Sequence, residues 1–438
     1  MLCHNQYPCK LLACKQSRSI HHLSNVRIIA AHKLCYLNKV SSLSWGGEVR
    51  PLSSSKNNAL NTSTKSDVKV NDKGQNIDIK ARHSSLEILK NSECSSSDEI
   101  CKENSEEILL KISAPVQTSL ERLTKNLTEA IGKGHPLLMA AAKQIFGGKG
   151  KRIRPTIILL IGQATAELLG KSCDADLSAR HMRVAEIAEI IHTASLVHDD
   201  VLDESDIRRG RRTVNSLYGT RVAVLVGDFL FAQSSWLLSC LGNIEVIGLM
   251  SQVIANFAQG EVSQATRLFD CSLSLEQYLE KSFCKTASLI ASGSRAAAAV
   301  GDCSEEVKTA LFQYGRHLGL AFQIVDDVLD FTETTQRLGK PRGQDLASGN
   351  LTAPTLYALW ANAGKGELKS LIESRFEDPK SLERALQLVE EAGGIMAARR
   401  LAAEHAEKAR TCLEVLPNYS PARHSLNLIV NYVLLRTR

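Results

Sequence analysis

No proline interrupts the chain between Pro155 and Pro341, a span of 185 residues rich in Ala, Leu, Glu, Gln and Ser. Proline breaks helix interiors, so its absence over this length, with apolar residues three and four apart, predicts a nearly continuous run of helices. Val184, Ile187, Ile190, Ile191, Ala194 and Val197 form one apolar helical stripe. Leu311, Gly315, Leu318, Ala321, Phe322 and Val325 form another. Breaks are expected at Asn215, Gly219, Gly242-Asn243, Gly301-Asp302 and Gly339-Lys340-Pro341, and strand-like alternation is hard to find anywhere. The expected architecture is all-α: one large helical bundle over residues 106–438. An apolar fraction of 44% is ample for its core, and no run reaches the roughly 18 uninterrupted apolar residues of a membrane-spanning helix.

One heptapeptide recurs inside this span, as Val197-His198-Asp199-Asp200-Val201-Leu202-Asp203 and as Ile324-Val325-Asp326-Asp327-Val328-Leu329-Asp330. In a helix the first and last Asp of each D-D-x-x-D stand at i and i+4, so three carboxylates share one face and repel. A single copy reads equally well as a solvated acidic face or a helix cap. Two copies set among Leu, Val and Ile call for a compensating cation. With only oxygen ligands and no Cys or adjacent His cluster, that cation is hard, and Mg²⁺ completes its shell with water and phosphate oxygens. Two such clusters facing across a bundle would hold a diphosphate through bridging metals.

Basic residues suit the same ligand. Gly147-Gly148-Lys149-Gly150-Lys151-Arg152-Ile153-Arg154-Pro155 lies upstream of the first cluster, and Arg208-Arg209-Gly210-Arg211-Arg212 follows it. Lys285-Thr286, Gln323 and Lys340 add donors near expected helix ends. Arginine forks and lysine ammonium groups bind phosphate oxygens well.

The net charge of +6 resides entirely in residues 1–105, and the remainder is neutral. The folded part therefore carries no electrostatic footprint for nucleic acid. The first acidic residue is Glu48, after Lys10, Lys15, Arg18, Arg27, Lys33 and Lys39 among many Ser, His and Cys. Residues 1–50 have the composition of an organelle transit peptide, and 51–105 that of a disordered linker. Six of the 12 cysteines lie in the first 101 residues and no Cys-x-x-Cys pair occurs, so neither a zinc ribbon nor a disulfide scaffold fits. Cys173, Cys240, Cys271, Cys284, Cys303 and Cys412 are expected to be buried free thiols in a reducing compartment.

With these residues in view, the chain resembles the trans (E-type) isoprenyl and polyprenyl diphosphate synthases. Their pattern is G-K-R-x-R-P, a first D-D-x-x-D followed by R-R-G, a K-T pair, and F-Q before a second D-D-x-x-D. Here these are Gly150 to Pro155, Asp199 to Asp203 with Arg208-Arg209-Gly210, Lys285-Thr286, and Phe322-Gln323 before Asp326 to Asp330. Stretches such as His192-Thr193-Ala194-Ser195 and Ser348 to Pro354 look most like plant plastid-type solanesyl diphosphate synthases.

The resemblance implies the isoprenoid synthase fold, with a central cavity, and successive condensation of isopentenyl diphosphate onto an allylic diphosphate. Asp199, Asp200, Asp203, Asp326, Asp327 and Asp330 would hold about three Mg²⁺ ions. Arg208, Lys285 and Lys340 would grip the allylic diphosphate, and Lys151, Arg154, His192 and Arg209 the diphosphate of isopentenyl diphosphate. Thr286 and Gln323 would line the reacting centre. Ala194 and Ser195, small where short-chain members commonly carry aromatic residues, would leave the product tunnel open and set chain length. A homodimer, peripheral membrane association for product release, and a plastid address, with the mitochondrion as the alternative, follow from the same likeness. Three positions depart from the family pattern: Lys149 where Gly is usual, Cys284 in place of an aromatic, and Asn350 where shorter-chain members often carry Lys. A shorter-chain geranyl or geranylgeranyl synthase, a terpene cyclase and a non-catalytic partner subunit are the competing readings. The complete second cluster argues against the last two.

Overall fold

The computed structural model describes residues 98–130, 135–146, 150–208, 210–332, 342–378 and 380–436, which belong to one unit, Ser92–Arg438. Lys149, Arg209, Lys340 and the Gly339-Lys340-Pro341 break lie outside the described residues, as does everything before Asp98. The helices are α1 Asp98–Ser113, α2 Gln117–Ala130, α3 Pro136–Phe146, α4 Ile153–Leu168, α5 Ala175–Leu202, α6 Val214–Tyr218, α7 Thr220–Leu241, α8 Ile244–Thr266 and α9 Leu275–Ser282. A π-helical turn, Phe283–Ala287, leads into α10 Ser288–Val300, and α11 Glu305–Thr332 follows. The chain ends in α12 Gln344–Ala347, α13 Ala353–Trp360, α14 Glu367–Glu373, α15 Ser381–Glu391, α16 Gly394–Cys412 and α17 Pro421–Leu435.

Helix α10 is the spine. Every residue in it except Arg295 is buried, which its Ala-Ser-Gly composition permits, because a helix apolar on all sides belongs in a core. It packs against α4, α5, α8 and α11. Contact of α10 and the π-helical turn before it with α11 is main chain to main chain: a Cβ on Gly315 would sit 2.6 Å from the Ala291 Cα, and one on Gly319 2.5 Å from the Ala287 Cα. The two apolar stripes are buried apart from Phe322, which is half-buried.

Local chemistry sets the helix ends. Gly242, at φ 67°, ends α7, and the Asn243 side chain accepts from the Val246 amide to start α8. Asn215 does not break the chain; it lies inside α6, capped instead by Thr213, whose hydroxyl accepts from the Ser216 amide. Between α5 and α6 a two-residue antiparallel pairing, Ile207–Arg208 with Arg211–Arg212, turns at Gly210, too short to show as alternation. Helix α1 begins at Asp98, within the 51–105 segment expected to be a linker. Ile108, Leu109 and Ile112 pack that helix on the core, and a Glu107–Lys111 pair supports its exposed face. Cys173, Cys240, Cys271, Cys284, Cys303 and Cys412 are all free, but Cys284 and Cys303 alone of these six are buried; Cys271 and Cys412 are half-buried, and Cys173, at a turn, and Cys240, on the outer face of α7, are exposed.

Candidate active site

The first acid cluster occupies the last turn of α5. Asp199 and Asp200 are helical, and Asp203 is the C-cap, its amide donating to the Asp199 carbonyl at 2.8 Å. The three carboxylates differ. Asp200 is buried and accepts from Arg208 Nε at 2.6 Å, whereas Asp203 is exposed. Burial and the nearby Glu261 carboxylate push the Asp199 carboxyl up to about 7. Lys285, in the π-helical turn, opposes that shift and is itself held by Glu261 Oε1 at 2.6 Å and Gln264 Oε1 at 2.9 Å, both from α8. Gly260 allows α8 this close, since a Cβ there would meet Lys285 Cγ at 2.7 Å.

The second cluster lies within α11 and is deeper. Asp327 is buried and accepts from the Tyr278 hydroxyl at 2.6 Å and from Gln323 Nε2 at 2.8 Å. Burial, with the Asp345 charge nearby, raises its carboxyl well above the usual range despite those two donors. Asp330 Oδ2 accepts from the Asp345 amide at 3.1 Å. Asp326 pairs with Arg436, whose guanidinium also donates to the Phe322 carbonyl and lies 3.7 Å from the centroid of that ring.

A short chain of hydrogen bonds joins the π-helical turn to this cluster: Thr286 Oγ1 donates to Gln323 Oε1 at 2.6 Å, and Gln323 donates on to Asp327. Cys284 is buried between them and α8, and its thiol is pushed up to about 11 by burial and Glu280. It stays protonated at neutral pH and is no nucleophile.

A third group stands seven residues, two helical turns, upstream on the same face of α5. Arg154 Nη1 and His192 Nε2 are 3.1 Å apart. Their loop is fixed by Arg152, which adopts a left-handed φ of 49°. Its guanidinium donates to Glu189 at 2.7 Å and to the Phe146 carbonyl at 3.0 Å, while its own carbonyl accepts from Thr156. These bonds offset the roughly 1–2 kcal/mol a left-handed non-glycine residue costs. Lys151 lies 5.5 Å from the Tyr432 ring centroid, beside a cleft of about 450 Å³ that Gly150, Arg152 and α1 also border. Ala194 is buried on α5, and Ser195, half-buried, donates to the His192 carbonyl at 2.8 Å.

The described candidate residues thus fall on α4, α5, the short strand that carries Arg208, α11 and the π-helical turn, with Lys151 just ahead of α4. Glu261 and Gln264 from α8, Tyr278 and Lys281 from α9, and Arg436 at the end of α17 complete the site without belonging to any short motif. Donors that are all oxygen, with carboxyls held partly neutral by burial, fit a hard divalent cation, which would restore their charge.

The comparisons agree with this geometry. The polyprenyl synthetase family pattern matches residues 135–389. A prenyl transferase of Cyanophora paradoxa is 54% identical over 328 residues, 75% of this chain and 98% of that relative. The chloroplastic solanesyl-diphosphate synthase 2 of Oryza sativa subsp. japonica is 51% identical over 321 residues, 73% of this chain and 78% of the relative. Among solved structures, a polyprenyl synthase of Caulobacter crescentus CB15, complexed with calcium and isoprenyl diphosphate, superimposes with a TM-score of 0.68 at 30% identity, covering 75% of this chain and 98% of that one. Identity at this level across nearly the whole of a relative, on a bundle with both acid clusters intact, makes this chain a trans-prenyltransferase of the polyprenyl synthetase family.

Proposed function

We propose that the protein extends an allylic diphosphate with successive isopentenyl units to an all-trans solanesyl diphosphate, the side-chain precursor of a plastoquinone or ubiquinone. The observation that carries it is the coexistence of two complete acid clusters with a separate Arg154–His192 group. That inventory suits two diphosphates at once; a cyclase handles one, and a silent partner subunit has no need of either. The 51% identity to the chloroplastic solanesyl synthase of rice supports the long product.

In this reading Arg208 and Lys285 bind the allylic diphosphate, with Lys340 joining them, and Lys151, Arg154, His192 and Arg209 orient isopentenyl diphosphate. The six Asp carboxylates would hold about three Mg²⁺, which when bound neutralise the charge of the leaving diphosphate. The allylic C–O bond breaks, the double bond of isopentenyl diphosphate attacks the resulting cation, and a proton leaves to the released diphosphate. Thr286 and Gln323 present fixed dipoles beside that centre. Ala194 and Val197, both buried, would form the wall that keeps water from the cation.

Ala194 and Ser195 leave room for the growing chain along α5. Incubating the protein with geranyl diphosphate, isopentenyl diphosphate and Mg²⁺ should give a forty-five-carbon product by mass spectrometry, and Ala194→Phe should shorten it to about fifteen or twenty carbons, because the ring blocks the tail without touching the diphosphate groups. Overpacking costs ~1–3 kcal/mol, so the variant's melting curve is recorded alongside. Unchanged product length in a folded variant would contradict the tunnel assignment.

The exposed outer faces of α7 and α8, with Leu225 52% and Trp236 61% exposed on α7 and Val262 63% on α8, support a homodimer in which a second copy covers them. Residues 1–50 would direct the chain to the plastid, and 51–105 would connect that address to the catalytic part. A full-length fluorescent fusion tests this; a mitochondrial or cytosolic signal would contradict it.

A further inference from the structure

Lys281 closes α9 one helical turn before Lys285, and the sequence motifs leave it unassigned. Its ammonium is half-buried and donates to Asn350 Oδ1 at 2.6 Å. It also lies 5.8 Å from the centroid of the Tyr278 ring, whose hydroxyl is bonded to Asp327. Asn350 in turn donates to Asp345 Oδ1 at 3.3 Å, and the Asp345 amide donates to Asp330. The charges acting on Lys281 are those of Asp327, Asp345, Glu261 and Lys285.

Two lysines therefore stand on one side of α9 and the π-helical turn, repelling one another, each turned to a different acid cluster. Lys285 leans to Glu261 and the Asp199 side; Lys281 leans to Asp327 and the Asp345–Asp330 side. A like-charged pair in a partly desolvated site is unfavourable unless an anion joins them. Position 350 is held firmly where Lys281 can reach it. Gly349, at φ 82°, lies under the Phe269 ring, and its carbonyl accepts from the Phe269 amide at 2.8 Å. Asn350, a neutral amide at a place where shorter-chain relatives often have an ammonium, meets one arriving from α9 instead.

We propose that Lys281 is a diphosphate-binding residue of the second cluster, supplying from α9 the positive charge that position 350 lacks. This rests on the reading of the site as a diphosphate-handling centre. Lys281 and Lys285 then clamp the departing diphosphate from its two ends, and attraction to the ligand offsets their mutual repulsion.

Inorganic diphosphate with Mg²⁺ serves as the probe, titrated calorimetrically into full-length wild type, Lys281→Met, Asn350→Lys and the double variant. Loss of one charge-assisted contact predicts roughly 10–100-fold weaker binding for Lys281→Met. Asn350→Lys alone should also weaken binding, by crowding two ammonium groups, whereas in the Lys281→Met background it should strengthen it. That reversal of sign does not arise if Lys281 only braces Asn350. Wild-type affinity in Lys281→Met, or a double variant no better than the single one, overturns the proposal. If Lys281→Met does not fold, Lys281→Gln replaces it in both backgrounds, and the same reversal of sign supports the proposal while its absence overturns it. The wild type's product assay is separate: diphosphate binding that depends on Lys281 in a protein that makes no polyprenyl product would sink the function above and leave this assignment standing.

Discussion

Val197–Asp203 and Ile324–Asp330 spell almost the same heptapeptide, yet the two copies live in different surroundings. The first sits in the final turn of α5, where the helix dipole presents its negative end and three carboxylates are least welcome. Arg208 and Lys285 are the cations that act on it. The second lies inside α11 and is dressed with donors: Tyr278, Gln323, the Asp345 amide and Arg436. Helical context, more than the motif, decides how much of a carboxylate cluster's charge the protein can tolerate alone. By this comparison the first cluster is the more dependent on an incoming cation and the second is the more fully prepared by the protein.

Catalysis should not distinguish them, and the largest effects lie here. Asp199→Ala and Asp326→Ala should each lower turnover by about a thousandfold or more, as removal of electrostatic stabilisation in a dry site does. More than a tenth of wild-type activity at saturating Mg²⁺ in either variant would break the equivalence.

Stability should distinguish them. In metal-free buffer Asp327→Ala strands the buried Tyr278 hydroxyl and should cost ~1–3 kcal/mol in urea unfolding. Asp199→Ala removes a carboxylate that burial disfavours and should be neutral or stabilising. Equal losses in both would dissolve the contrast.

Acidity sharpens it further. Without metal, the Asp199 carboxyl sits at about 7 in the folded protein, against an ordinary 3.8. Between those values the native state holds a proton that the unfolded state has released, so the stability this group contributes is present at low pH and lost as pH rises through 7. The difference between wild type and Asp199→Asn should therefore grow across that window, by at most about 2 kcal/mol after solvent screening, and a flat difference would contradict it.

The smallest effect is on the same helix as the second cluster. His317 of α11 and His405 of α16 face each other with their Nδ1 atoms 2.9 Å apart, and both are held down to about 4, chiefly by burial with Arg316 and Lys408 nearby. Here the sign is opposite: stability is present above pH 6.5 and lost as pH falls toward 4. His405→Gln should flatten this acid limb while leaving the Asp199 window unchanged.

Much of the helical layout was legible because helix periodicity and proline avoidance are local signals. The stripes around Ile187 and Leu318 are buried as expected, and the acid clusters, Lys285-Thr286 and Gln323 announce themselves as short motifs. What stayed hidden depends on tertiary approach. Glu261, Tyr278, Lys281 and Arg436 matter through where their helices pass; even Lys281, four residues before the Lys285-Thr286 pair, is not marked by that pair. The hairpin at Ile207–Arg212 is too short for a period of two to register. The π-helical turn at Phe283–Ala287 follows from the fit of α9 and α10 against α8 and α11, not from its own composition.

The main-chain contact of α10 with α11 bears on how such an enzyme diversifies. Where Gly315 and Gly319 rest on Ala291 and Ala287 there is no side chain to swap for a longer or shorter one. The gauge between the lysine-bearing turn and the second cluster is therefore inherited whole: almost any substitution forces two helices apart rather than adjusting a gap. Along α5 the reverse holds, because the packing there is made of side chains such as Ala194, exchangeable one at a time. The proposed control of product length at Ala194 would then fall on the one of these two surfaces that can be tuned a residue at a time.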